Sequence, residues 1–544
     1  MKKIKAAAIQ YEPIKGEKKI NLKNIINLII ESSEAGSELI VLPEMCTTGY
    51  IWQNREEIKP YVENIPGYTT ELIYKFTKKH QNYVIIGLAE KDEKDIFYNS
   101  AALIGPEGYI GKYRKIHSFI ADPMWAKDGS DEIPVFKTEI GNLGICICMD
   151  LNMPETTKVL YRKEADVICA PCNWTGEKIP STFWYQRAYE NSTPVIIANR
   201  WGEEKGVKFT GGSCIIDEKG ELLNFLEKDN GCIYSELTFN NKKCKLPKYS
   251  FYKELMRNPY TWNPIWFYKQ YDEKLPIGEK FKISSVQLKR ERLINIETIK
   301  EILKENIKNQ QERDSKIIVF PKNILNPIIN NKVEITKREI LDNIIGEISK
   351  HISEGEYILL SYLDKDEKST AVLISNEGVV FKYKQIYKED YPLVDIKSLD
   401  YYDTEYGRIG VVFGEELINI EFARILTLKG IDILLIPDDN GKNYNSEKFD
   451  GKILWTMAKS RSRENNIYTV YANYCKDEDN IGYSGIFGPN AFFKENEYIF
   501  SKFDEKILTL EIDTLDKSRK FPQNNIKYKP FMHSRKIDFY EELV

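Results

Sequence analysis

GICICMDLNMPE, residues Gly144 to Glu155, is a short apolar run that breaks at Cys148-Met149-Asp150 and leads through Pro154 into a new segment. The same frame returns at Gly410 to Glu421 as GVVFGEELINIE. Working outward, the repeat extends to both ends of the chain. Ala8-Ile9-Gln10 aligns with Ser285-Val286-Gln287, and IVLPE (Ile40 to Glu44) with IVFPK (Ile318 to Lys322). KYRKIH (Lys112 to His117) aligns with KYKQIY (Lys382 to Tyr387), and RAYENSTPVIIAN (Arg187 to Asn199) with RSRENNIYTVYAN (Arg461 to Asn473). One pattern is written twice, and three reactive groups change together: Glu44 to Lys322, Lys115 to Gln385, Cys148 to Gly414. A carboxylate, an ammonium and a thiol lost as a set point to a working site in the first half alone.

Length agrees with two copies. A chain of 544 residues is too long for one core, and domains of about 270 residues lie within the usual range. The repeat sets their bounds at 1–275 and 280–544. Hydrophobic content of 42% and charged content of 29% are those of an ordinary globular protein. A net charge of −4 with both signs interspersed argues against a nucleic-acid or anionic-membrane partner. No run approaches the roughly 18 apolar residues of a membrane span. The start, MKKIKAAAIQYEPI, runs directly into a strand, so a cytoplasmic protein is expected. Cys146-x-Cys148 and Cys169-x-x-Cys172 resemble metal spacings, but only 4 histidines occur, and neither zinc nor disulfides are expected.

Each half alternates strand and helix patterns. In the first, Ile4–Gln10, Leu39–Leu42, Tyr83–Gly87, Leu143–Cys148, Val167–Ala170 and Pro194–Ala198 read as strands. Leu22–Ser33, Thr69–Lys79, Pro154–Lys163 and Phe183–Ser192 read as helices. Tyr98–Ile104 with Gly108–Lys115, and Gly212–Asp217 with Glu221–Leu226, read as hairpins. Strand–helix units interleaved with hairpins predict an α/β fold of two mixed sheets with helices outside, a four-layer αββα sandwich, built in tandem. Residues 240–280, rich in Tyr, Trp, Pro and Lys, are too aromatic for a floppy linker and are expected to pack as an ordered tail.

The chemistry follows from the strand ends. Cys148 closes an apolar strand at a bend, where backbone N–H groups such as that of Met149 are free to bind an oxyanion. A thiol attacks as thiolate and needs a base and a positive neighbour. Glu44 and Lys115 end two other apolar segments, so both can reach the same sheet edge: Glu44 as base, Lys115 as the cation that keeps it ionised. Taken singly, a strand-end cysteine is more often a structural thiol, a glutamate after proline a solvated turn residue, and a lysine within KYRK a surface charge.

Taken together, LPEMCTTGY, KYRKIH and ICICMDLNMPE resemble the three motif regions of the nitrilase, or carbon–nitrogen hydrolase, superfamily, and both halves resemble it nearly end to end. The resemblance implies Glu44 as base, Lys115 as oxyanion-stabilising cation and Cys148 as nucleophile, in αββα domains that pair through helix contacts, here as an internal pseudo-dimer. It implies a small amide-like substrate, no metal and no organic cofactor. Many members carry a second glutamate after the lysine; here Asp122 is the nearest carboxylate, so it either takes that role or falls short of it. Trp125 is read as an aromatic wall, and Asn173 with Trp174 as pocket borders, Trp174 serving equally well as core. Tyr50, Trp52 and Trp184 add to a partly apolar mouth. Met149-Asp150, in place of Trp-Glu, favours the amidase and carbamoylase branches over the nitrile-cleaving one. Acyl transfer to an amine, or a binding protein using an old pocket, are the remaining alternatives.

The second half acts as an internal control. Glu190-Asn191, Asn199 and Arg187 reappear as Glu464-Asn465, Asn473 and Arg461, which marks them as folding residues. Lys322 with Glu415 or Glu416 forms either a salt-bridged plug or an eroded pocket with solvated charges. The second half is expected to serve as a covalent pseudo-partner, with further self-association left open.

Overall fold

The computed structural model describes residues 2–175, 179–239, 247–260, 274–329, 332–387, 396–439, 453–477, 480–489, 498–515, 526–527 and 529–544. Two compact units emerge. Unit 1 is Met1–Leu246 with Lys536–Leu543, and unit 2 is Pro247–Arg535 with Val544.

In unit 1 one six-stranded sheet runs β14 (Gly231–Phe239), β1 (Lys2–Gln10), β2 (Leu39–Val41), β3 (Tyr83–Lys91), β4 (Phe97–Gly105), β5 (Gly108–Arg114). The other runs β13 (Leu222–Leu226), β12 (Ser213–Ile216), β9 (Val195–Asn199), β8 (Val167–Cys172), β7 (Gly141–Ile145), β6 (Val135–Thr138). A hairpin of β10 (Trp201–Glu204) and β11 (Val207–Thr210) stands apart. β1, β2 and β3 are parallel, as are β7, β8 and β9; the outer pairs are antiparallel. Strands β1 to β3 pack on β8, β9 and β12, face to face.

The helices lie on the outer faces. Lys18–Glu34 and Tyr68–His80 turn Ile25, Ile29 and Ile73, all fully buried, onto Ala7, Ile9, Ile40, Val84 and Ile86 of the first sheet. Each side chain of that size stabilises by ~1.5–3 kcal/mol when buried. Thr182–Glu190 covers β9 and β12 of the second sheet. The layers are therefore helix, sheet, sheet, helix, as the periodicity predicts. Periodicity gave no sign of β6, of the β10–β11 hairpin or of β14, which pairs with β1 along its whole length.

Unit 2 repeats the plan. Gly378–Lys384, Ser369–Ser375, Tyr357–Leu363, Ser315–Val319, Lys280–Gln287 and Lys506–Asp513 form one sheet. Tyr402–Thr404, Gly407–Val411, Ile433–Pro437, Tyr468–Ala472, Ser484–Phe487 and Tyr498–Ser501 form the other. The aromatic segment expected to be ordered folds within this unit: the rings of Tyr249, Phe251 and Tyr252 surround Phe422 at 5.8, 5.5 and 6.5 Å. Residues 240–246 and 261–273 of that segment, Thr261 and Trp262 among them, lie outside the described residues. No helix among the described residues is long and apolar enough to cross a membrane.

Candidate active site

Strand ends build the site. Beyond β2 the chain turns through Pro43-Glu44-Met45, with Met45 in the left-handed region at φ 52°. The turn lies directly on β3 because residue 87 is glycine: a Cβ there would stand 2.5 Å from both Glu44 Cα and Pro43 O. Beyond β5 comes Lys115, whose N–H still bonds Asn99 O of β4 at 2.9 Å. Beyond β7 comes Cys148, opening a short helical turn, Cys148–Asn152. The expected strand to Cys148 ends earlier, at Ile145, and Cys148 takes φ 45°, a left-handed backbone that costs a side-chain-bearing residue about 1–2 kcal/mol.

Asp150 holds that turn in place. Its Oδ2 accepts from the Ile147 N–H at 2.8 Å and the Tyr113 hydroxyl at 2.7 Å. Its Oδ1 accepts from the His117 N–H at 3.2 Å and lies 2.7 Å from His117 Nδ1. One buried carboxylate thus ties the Cys148 turn to the stretch that carries Lys115. Glu416 repeats this in unit 2, accepting from Phe413 N, Tyr383 Oη, Ile386 N and Tyr387 N at 2.7–3.0 Å.

A buried charge cluster gathers Lys115, Glu44, Asp122 and Asn99. Lys115 Nζ donates to Glu44 Oε1 and to Asp122 Oδ2, both at 2.7 Å. Asn99 Nδ2 donates to Glu44 Oε1 at 2.6 Å and to Asp122 Oδ1 at 2.9 Å, closing a ring of four side chains. Asp122 Oδ2 also accepts from the Phe119 N–H at 2.9 Å and lies 3.2 Å from the Tyr50 hydroxyl. All four members are at most 2% exposed. Burial opposes the charge on Lys115, but Asp122 and Glu44 outweigh it and hold the ammonium well above its ordinary pKa. Burial raises Glu44 above the usual carboxylate range, against the pull of Lys115 and with the help of Asp122. Glu44 Oε2 has no hydrogen-bond partner among the described residues. Burial also lifts the Cys148 thiol well above its ordinary pKa, followed by the neighbouring Cys172 thiol and the negative charge of Glu44.

The remaining expected residues fall into two groups. Asn173, at the end of β8, is 1% exposed, and both ends of its side-chain amide lack partners among the described residues. Trp174 follows it, its N–H bonded to Asn199 Oδ1 at 2.8 Å and its ring edge-on to Trp184 at 5.4 Å. Met149 lies buried beside Cys148 in the turn. Trp125 and Trp52, by contrast, are packed into an apolar cluster with Met45, Tyr50, Phe97 and Phe209, and Trp184 is fully buried. Asn99 escaped sequence reasoning, and Cys172 was weighed only as half of a metal-like spacing. Asn99 had a signal: NSAALI (Asn99–Ile104) matches STAVLI (Ser369–Ile374), so asparagine becomes serine along with the other three changes.

At the equivalent place in unit 2, Lys322 Nζ pairs with Glu415 Oε1 at 2.5 Å and Asp439 Oδ1 at 3.4 Å. The expected lysine–glutamate pair is there, with Glu415 as the partner and Glu416 engaged in the turn. A Cβ built on Gly414 would stand 2.5 Å from Asp438 Oδ2 and nearer still to the other atoms of that carboxylate. Burial, then Asp439, raises Asp438 to about 7. Arg187 and Arg461 behave as folding residues: each pairs with the glutamate three residues on, at 2.5 and 2.7 Å, and each donates at 2.8 Å to a backbone carbonyl, of Leu151 and Leu417.

A carbon-nitrogen hydrolase family model matches residues 5–241 and again residues 282–514. The chain belongs to the carbon–nitrogen hydrolase family. Over 222 residues this carbon–nitrogen hydrolase is 39% identical to a nitrilase from Pyrococcus abyssi, covering 41% of this chain and 84% of that protein. Over 262 residues it is 27% identical to an (R)-stereoselective amidase from a Pseudomonas species, covering 46% of this chain and 91% of the other. A solved carbon–nitrogen hydrolase from Helicobacter pylori G27 shares 22% identity at a TM-score of 0.40, covering 43% of this chain and 89% of that one.

Proposed function

We propose that unit 1 is a cysteine-dependent hydrolase of a non-peptide amide or carbamoyl C–N bond, and that Glu44, Lys115 and Cys148 carry the reaction. The observation behind this reading is the asymmetry of Glu44: one oxygen is fixed by Lys115 and Asn99, and the other is unengaged in a buried site whose charge reaches the Cys148 thiol. A raised carboxylate pKa makes Glu44 a stronger base, suited to taking the thiol proton as sulfur attacks. The new C–S bond turns the carbonyl oxygen into an oxyanion. Lys115 and the Met149 N–H, in the first turn of its short helix where N–H groups have no intrahelical acceptor, receive that charge. Glu44 returns the proton to the departing nitrogen, ammonia or amine leaves, and a thioester remains on Cys148. Water deprotonated by Glu44 then adds to the thioester, releasing the acid and restoring the thiol.

Asp122 and Asn99 serve as positioning residues in this scheme, holding Lys115 and Glu44 in line. Asn173 offers its unpaired amide to the substrate, and Trp174 borders the same pocket. Unit 2, with Gly414 where a nucleophile would stand, is assigned a non-catalytic role as covalent pseudo-partner. Ammonia release from a panel of small amides, carbamoyl compounds and nitriles, wild type against Cys148→Ala, tests the reading. Activity that vanishes in the variant, with an acyl adduct on Cys148 by intact mass, supports it. No turnover and no adduct across the panel would leave a binding protein.

A further inference from the structure

Cys172 has no part in that chemistry, yet it stands against the nucleophile. The parallel pair β7–β8 sets Leu143 opposite Val167, Gly144 opposite Ile168 and Ile145 opposite Cys169. Each pair is 24 apart in sequence, and the same offset puts Cys148 across from Cys172 (148 + 24 = 172). Unit 2 tests this extension beyond the last bonded rung. There Ile409, Gly410 and Val411 face Ile433, Leu434 and Leu435, and the offset carries Gly414 to Asp438. Asp438 is indeed the residue whose carboxylate fills the space of a Gly414 Cβ. In unit 1 the two thiols are close enough that each affects the other's proton affinity. The turn that Cys148 opens packs against β8, and a disulfide asks for Cα atoms within roughly 4.4–6.8 Å. Both cysteines are free and buried.

We propose that Cys148 and Cys172 form a redox pair in which peroxide converts the nucleophile reversibly to a disulfide. The inference rests on the reading of Cys148 as the deprotonated nucleophile. With its proton on Glu44, the Cys148 thiolate attacks a hydroperoxide: an S–O bond forms, the O–O bond breaks, and sulfur gives two electrons to the departing oxygen, which takes the proton from Glu44 and leaves as water or alcohol. The Cys172 sulfur then attacks the sulfenic sulfur, the S–O bond breaks, and water leaves with the Cys172 proton. Two thiols and one peroxide become one disulfide and two small products. An exogenous dithiol reverses the last change, becoming a disulfide itself while both thiols regain protons. A solitary active-site thiol would go on instead to the sulfinic acid, which thiols do not reduce.

The test uses the intact chain. Wild type and Cys172→Ser are exposed to hydrogen peroxide, followed by intact mass and peptide mapping before and after dithiothreitol. Wild type is expected to lose two hydrogens, to yield a Cys148–Cys172 linked peptide, and to regain both thiols on reduction. Cys172→Ser is expected to gain two or three oxygens on Cys148 that dithiothreitol does not remove. Identical, unreducible oxygen addition in both proteins, or a link from Cys148 to Cys146 or Cys169, overturns the proposal. Acylation of Cys148 by substrate without any Cys172 link breaks the redox pair and leaves the hydrolase standing. A reversible link without acylation breaks the hydrolase and leaves the pair.

Discussion

Cys148 and Gly414 open the same turn in two copies of one fold, and their backbones differ in the opposite sense from what their side chains favour. Cys148 adopts the left-handed backbone that strains any side-chain-bearing residue. Gly414, which takes that backbone at little cost, has no positive φ. The anchoring carboxylate is the same in both turns, Asp150 in one and Glu416 in the other, so the scaffold does not impose the difference. Strain is present where a sulfur must be aimed and absent where none exists. In the relaxed copy the volume of the missing thiol is taken by Asp438, and the base position by a lysine already paired with Glu415. One turn is held open by strain, and the other is filled.

The largest test of this contrast removes the working groups. Cys148→Ala and Glu44→Gln should each lower ammonia release by about 10³-fold or more, while Lys322→Gln should leave it unchanged; steady-state assays on the substrate found in the panel decide it. Comparable losses from Lys322→Gln would mean that unit 2 has chemistry of its own. Next is Asp122→Asn, expected to cost about 10- to 100-fold in kcat. Asp122 raises the pKa of Glu44, which must be ionised to act, so its removal should also move the rising limb of the pH–rate profile to lower pH. A profile that falls in height without moving would make Asp122 a structural residue only.

These expectations show how far the sequence was legible. Period-2 and period-3.6 patterns place most strands and helices because one face of each meets a core, which is where hydrophobic periodicity is strongest. Lys115, Glu44 and Cys148 could be read because a second copy without them lay in the same chain. The ring closed by Asn99 could not be read from periodicity, since its side chain is a polar exception on an otherwise buried strand. The pairing of Cys148 with Cys172 depends on strand register, a non-local property that spacing along the chain does not encode. Trp52 shows the reverse error: an aromatic residue close in sequence to Glu44 packs against Tyr61 at 5.0 Å, in the core.

Two smaller tests bear on the filled copy. Gly414→Cys should destabilise unit 2 by about 2–3 kcal/mol, because the new Cβ overlaps the Asp438 carboxylate. Adding Asp438→Ala should recover about half of that loss, a coupling that denaturant titration of the double-mutant cycle would read; strict additivity would mean that the clash is relieved elsewhere. The smallest effect is a pH slope. Asp438 titrates at about 7 when folded, against ~3.9 in an unfolded chain. The folded state therefore holds the proton more tightly, and this residue's contribution declines as pH rises from ~4 to 7 and is level above. Asp438→Asn should flatten that decline, gaining a few degrees in Tm over wild type at pH 8 and little at pH 5 by scanning calorimetry. An equal gain at both pH values would remove the carboxyl's ionisation as the cause.

Residues Lys536–Leu543 belong to unit 1, where Lys536 meets Asp128 at 2.7 Å, Leu543 is fully buried, and the segment Glu541–Leu543 packs against helix Pro154–Arg162. A ribosome makes those eight residues only after it has made all of Pro247–Arg535. Unit 1 therefore leaves the exit tunnel early but is completed only after Arg535 has been added, spending the translation of Pro247–Arg535 with a face of that helix uncovered. Chains that stop short of Lys536, through a nonsense codon or a stalled ribosome, carry every group of the active site on an incomplete body, and quality control has an exposed surface by which to recognise them.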